Sequence, residues 1–100
     1  MSSEVEETLK RIQSHRGVEG VLIISNDGTT LKSTLDTEQT EQHAALVSQL
    51  SSKARSMVRT LDPTNDLSFL RVRSKKYEML IAPDKDYTLI VIQNPNMDDK

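Results

Sequence analysis

Apolar positions along the chain change period several times, and each change marks an element. Val5, Leu9 and Ile12 stand at i, i+4 and i+7, one narrow helical stripe. Ser3 followed three residues on by Glu6 is a capping box, in which hydroxyl and carboxylate satisfy free backbone donors. Gly17 offers a left-handed stop, so a short helix is expected over roughly residues 4–15. Residues 21–25 form a strand in which Val21-Leu22-Ile23-Ile24 is apolar without alternation, the mark of a strand covered on both faces. Asn26-Asp27-Gly28 then signals a hairpin, because Asp-Gly tolerates the positive φ of a type I′ turn. Residues 29–34 return half polar and belong nearer an edge.

From Asp36 the period becomes helical. Asp36 or Thr37 can cap, with Gln39 or Thr40 in the reciprocal position. Ala44, Val47, Leu50, Ala54, Met57 and Leu61 follow at spacings of three or four, and Leu46 and Val58 broaden the stripe. Pro63 disfavours helical geometry at Asp62 and ends the helix near Leu61. The remainder reads as strands over 67–73, 77–82 and 87–93, with turns at Ser74-Lys75-Lys76 and Pro83-Asp84-Lys85-Asp86. Leu89-Ile90-Val91-Ile92 is apolar on both faces like the first strand, which places the two side by side in mid-sheet. The order α-β-β-α-β-β-β predicts an α+β fold: a five-stranded antiparallel sheet, a long helix on one face and the short N-terminal helix on the other.

Lengths then point to partners. Five strands make a sheet about 24 Å wide, whereas a helix of about 25 residues is roughly 37 Å long. Its apolar stripe continues through Met57, Val58 and Leu61, so an overhanging apolar surface needs cover, and a second copy of the chain is the simplest candidate. Val47, Leu50, Ala54, Met57 and Leu61 are the helix positions for such self-contact. The strand over 67–73 is a candidate sheet edge open to pairing, with Leu67, Phe69, Arg71 and Arg73 on one of its faces. The first helix, about 18 Å long, cannot cover the other side of the sheet. A groove is expected there, suited to an amphipathic helix from a partner, with Val5, Leu9, Ile12, Leu89 and Val91 as candidate partner-binding residues.

Composition sharpens this. The 100 residues suffice for a single domain over 1–100, with a polar tail from about 95. Only 35% are hydrophobic and 28% charged, a thin core that commonly needs a metal, a disulfide or a partner. Cysteine is absent and histidine is limited to His15 and His43, which leaves the partner. A net charge of −2 argues against nucleic acid; the basic cluster Arg71, Arg73, Lys75 and Lys76 reads as a solvated edge or as charge contacts across a subunit interface. The longest apolar runs are four residues, far short of a membrane span. The acidic start is no secretory signal, so a soluble, cytosolic protein is expected. No nucleophile elbow, phosphate-binding glycine loop or metal-ligand spacing occurs. Neither catalysis nor a cofactor, metal or small-molecule substrate is expected.

Several segments resemble one family. Glu4-Val5-Glu6-Glu7-Thr8-Leu9-Lys10-Arg11-Ile12-Gln13 opens the chain, and Asp62-Pro63 with Asn65-Asp66-Leu67 leads into Phe69-Leu70-Arg71-Val72-Arg73-Ser74-Lys75-Lys76. Ala82-Pro83-Asp84-Lys85-Asp86 and Ile90-Val91-Ile92-Gln93-Asn94-Pro95 close it. Together they are similar to the roadblock-type dynein light chains; Gly28 is followed by Thr29-Thr30 where that type commonly has Gly-Ile-Pro. The resemblance implies a roadblock-like fold and a cytoplasmic or axonemal, microtubule-associated homodimer. In it the third strands pair, the long helices pack together, and the dynein intermediate chain is bound. Related domains often carry a further C-terminal helix; no helical pattern follows Pro95 here, so an open groove is expected. Other roadblock domains are regulatory platforms for small GTPases, the alternative that the resemblance leaves open.

Overall fold

The computed structural model describes residues 3–94; the Ser3 side chain of the expected capping box and the tail from residue 95 lie outside the described groups. The elements are α1 (Ser3–Gln13), β1 (Val18–Ser25), β2 (Thr30–Ser33), α2 (Thr37–Leu61), β3 (Leu70–Arg73), β4 (Glu78–Pro83) and β5 (Tyr87–Gln93). The strands form one antiparallel sheet in the order β2-β1-β5-β4-β3. This is the α+β architecture that the periodicity predicts.

β1 and β5 are neighbours, with Leu22 opposite Ile90 and Val21 opposite Val91. Val21, Leu22, Ile23 and Ile24 are all buried, so β1 needs no polar parity. One face of the sheet carries Leu22, Ile24, Ile81, Ile90 and Ile92, which form the core with Ala44 and Val47 of α2. The other face carries Val21, Ile23, Leu89 and Val91, the cross-strand partners of the opposite parity. α2 begins where Asp36 caps it, its carboxylate accepting from the Gln39 N–H at 2.8 Å. It ends at Leu61, where Asp62 is already extended ahead of Pro63.

Several local expectations change. β1 starts at Val18 rather than at residue 21, because β5 extends to Gln93 and supplies ladder partners as far as Val18, across a bulge between Val18 and Gly20. The hairpin at residues 26–28 is not a type I′ turn: Gly28 has φ 93°, and no other residue there is positive. Gly28 N–H donates to Ser25 C=O at 3.0 Å and Ser25 N–H to Thr29 C=O at 2.8 Å, a three-residue loop with glycine at the left-handed position. The Asp27 carboxylate accepts from Thr29 N–H at 3.0 Å and from the Ser25 hydroxyl, which holds the loop in this form. β3 is only Leu70–Arg73. Its ladder runs from Arg73 opposite Glu78 to Leu70 opposite Ile81; two steps further Pro83 offers no N–H, and residues 67–69 run unpaired. α1 and β4 also shift by one or two residues at their ends.

Candidate interaction surfaces

α2 buries Thr40, Ala44 and Val47, all in its first half. Beyond them Ala54 and Val58 are half-buried, while Leu46, Leu50, Met57 and Leu61 are 59%, 42%, 59% and 78% exposed. Spacings of four, seven and four put these four on one side of the helix. Asp66, just past the end of α2, is tied to the second half of the helix by charge. Arg55 grips Asp66 with two hydrogen bonds, at 2.9 and 3.1 Å, and Arg59 stands 3.8 Å away. Hydrogen bonds from Arg55 first, then from the Leu67 N–H, hold the Asp66 carboxyl below the usual carboxylate range.

On the opposite face α1 packs over β1 and reaches β2 through a Glu6–Lys32 ion pair of 3.6 Å. The described residues leave β5, β4 and β3 uncovered on that side. An apolar groove of about 640 Å³ opens over them, with Leu80, Leu89 and Val91 beneath, Ile12 and His15 on the α1 side, and Phe69 and Arg71 on the β3 side. Beside it lies a polar cluster. Glu78 is 4% exposed, and both its oxygens are occupied: Oε2 accepts from Arg71 Nε at 2.7 Å and Oε1 from Gln93 Nε2 at 3.0 Å. A buried carboxylate is tolerated only with such partners.

The candidate residues therefore separate by place. Leu50, Met57 and Leu61 are exposed and Ala54 half-buried on α2, at the self-contact positions that the sequence suggests, whereas Arg73 is exposed on β3 with the same parity as Arg71. Val47 is a correction: it is 3% exposed and packed against its own sheet, so no surface is left for a second chain. Phe69 and Arg71 line the groove with Ile12, Leu89 and Val91, while Leu67 sits apart in a polar cleft with Arg55 and Asp66. Leu9 is half-buried and does not line the groove; the Val5 side chain lies outside the described groups.

Sequence reasoning missed Glu78, Gln93 and His15. The signal for the first two was parity: each alternates with the groove residues Leu80 and Val91 and so stands on the groove face of a half-covered sheet. Among the described residues no group of three or more His, Cys, Asp or Glu could hold a metal ion, and no helix is long and apolar enough to cross a membrane. His43 bonds through Nδ1 to the Gln39 carbonyl at 2.7 Å. The geometry offers two apolar surfaces, an α2 stripe and a groove.

A family model described as Roadblock/LC7 domain matches residues 4–94. Among solved structures the chain is similar to the Roadblock/LC7 domain from Streptomyces avermitilis, at 20% identity and a TM-score of 0.79, over 86% of this chain and 73% of that one. It is similar to the gliding protein MglB from Thermus thermophilus, at 12% identity and a TM-score of 0.79, over 95% of this chain and 74% of that one. It is also similar to Myxococcus xanthus MglB, at 15% identity and a TM-score of 0.71, over 91% and 72% of the two chains. At these identities the likeness is one of fold.

Proposed function

The chain belongs to the Roadblock/LC7 family, and from that premise we propose that it is a non-catalytic, homodimeric light chain of a dynein motor. Its groove receives a helical segment of the dynein intermediate chain, which helps assemble the motor and link cargo in the cytoplasm, on microtubules. The observation that carries this reading is the pair of uncovered apolar surfaces on opposite faces of one small sheet. Leu46, Leu50, Met57 and Leu61 suit a second copy, and the space over β5, β4 and β3 suits a guest helix. Self-association is supported by a further neighbour of the same fold, described as MglB with tetrameric arrangement. The motor assignment is supported by the segments over 62–76, 82–86 and 90–95 that resemble roadblock-type dynein light chains.

A second reading is a regulatory platform for a small GTPase. The structural neighbours favour it, because they are bacterial proteins and two of those described above are MglB. One experiment separates the two. The purified chain is offered an intermediate-chain fragment and, in parallel, small GTPases loaded with GDP or a GTP analogue. Retention of the fragment regardless of nucleotide supports the light-chain reading; nucleotide-dependent retention of a GTPase, with no hold on the fragment, replaces it with the platform.

A further inference from the structure

The groove has more character than its apolar floor. Counting from β1 beneath α1 to the outer strand β3 gives three strand spacings, about 14 Å. One α-helix with its side chains is about 10–12 Å across, so the strip that each single chain leaves vacant is one helix wide. α1 forms one wall, and the β3 side, with Phe69 61% exposed, forms the other. Among the described residues that line it, His15 and Arg71 are the only ones with basic side chains, and no carboxylate is among them. Glu78 lies beside the groove, but both of its oxygens already accept bonds.

Arg71 is held in a particular way. It bonds the buried Glu78 through Nε, yet its side chain is 60% exposed. Five N–H donors less one leaves four, on the two Nη groups. A guanidinium held at Nε and free at Nη is set for the forked recognition of a carboxylate, the strongest short-range acceptor for it. Glu78 and Gln93 then have a positioning role: the buried Glu78 holds the arginine at the wall, and the half-buried Gln93 holds Glu78. A basic guest would meet donors and no free carboxylate.

We propose that Arg71 is the specificity-determining anchor of the groove, and that the helix docking there carries an Asp or Glu beside its apolar stripe, taken by the Arg71 Nη donors. This rests on the reading that the groove receives a helix. The test uses the full chain and a fluorescent intermediate-chain peptide, unaltered and with the acidic residues flanking its apolar stripe changed to their amides. Binding is measured by anisotropy to wild type and to Arg71→Gln, with amide chemical shifts of His15, Leu89 and Val91 marking the site. The expected result is binding about tenfold weaker when either the peptide carboxylates or Arg71 is removed, and little further loss when both are. Glu78→Gln, checked for folding by circular dichroism, should weaken binding of the acidic peptide more than of its amide form. Shifts at the groove with equal affinity for both peptides would overturn the anchor and leave the groove standing. Absence of any shift at the groove would remove the groove reading, and the anchor with it. The amide peptide leaves the protein untouched, so a poorly folded variant does not blunt the test.

Discussion

The two halves of α2 carry similar apolar residues and meet opposite surroundings. In the first, Ala44 and Val47 are packed into the core with Leu22, Ile90 and Ile92. In the second, Met57 and Leu61 stand in solvent at 59% and 78% exposure, and its inner side is only half-buried at Ala54 and Val58. The helix nevertheless continues unbroken for 25 residues. Helical continuity is thus governed locally, by the Asp36 cap at one end and Pro63 beyond the other, while burial is decided by where the sheet stops. The first half is held by the hydrophobic effect. The second rests on the half-buried Ala54 and Val58 and is tied to Asp66 through Arg55 and Arg59, while Met57 and Leu61 remain exposed for another surface.

The comparison breaks most sharply at Val47. Val47→Asp places a charge in a site with 3% exposure and no partner, at a cost of about 4 kcal/mol or more. A small domain has only about 5–15 kcal/mol in all. We expect loss of the cooperative thermal transition by circular dichroism at every protein concentration. A variant that melted like wild type would mean that the first half is not the core.

Met57→Glu tests the other half. The side chain is already exposed in one chain, so helicity and the fold of the protomer should survive. A charge in the middle of an apolar contact between copies should raise the dimer dissociation constant at least tenfold, about 1.4 kcal/mol. Sedimentation equilibrium checks it: a folded species at 11.3 kDa for the variant, against twice that mass for wild type. A variant of unchanged mass would move the self-contact away from this stripe.

Much of this contrast was legible in the sequence, and what was not has physical causes. The bounds of α2 rest on neighbouring residues, so Asp36 and Pro63 mark them within a residue. β1 and β5 announce themselves as continuous apolar runs. Whether Leu46 or Val47 faces the sheet is a different matter: the stripe is broad enough to include both, and only packing puts Val47 inside and leaves Leu46 59% exposed. Strand ends depend on remote partners. Val18, Glu19 and Gly20 lie outside the apolar run, yet β5 extends the strand over them, and a Cβ at Gly20 would come within 2.7 Å of Leu35 Cδ2, so that side chain would have to shift. The groove was inferable from the shortness of α1, but its far wall was not. Residues 67–69 have strand-like composition and lose their ladder to a proline on another element.

The finest distinction between the halves lies in Asp66. Its carboxyl is held below the usual range by Arg55, the Leu67 N–H and Arg59, so it contributes most while ionised. The sign follows from linkage: a carboxyl lowered in the folded state stabilises above its unfolded value, near pH 4, and loses that contribution as pH falls through the lowered one. Asp66 is exposed, and solvent screens the effect; the global melting temperature should therefore hardly move. Locally the change should be visible. Acidification, or Asp66→Asn at neutral pH, is expected to speed amide exchange from Val58 through Leu67 while Ile90 and Val91 stay protected. The substitution is the cleaner arm, because acid also protonates Asp62, whose carboxyl is lowered by Thr64. Equal exchange in Asp66→Asn and wild type would show that the second half of α2 holds itself without the tether, and that packing at Ala54 and Val58 suffices.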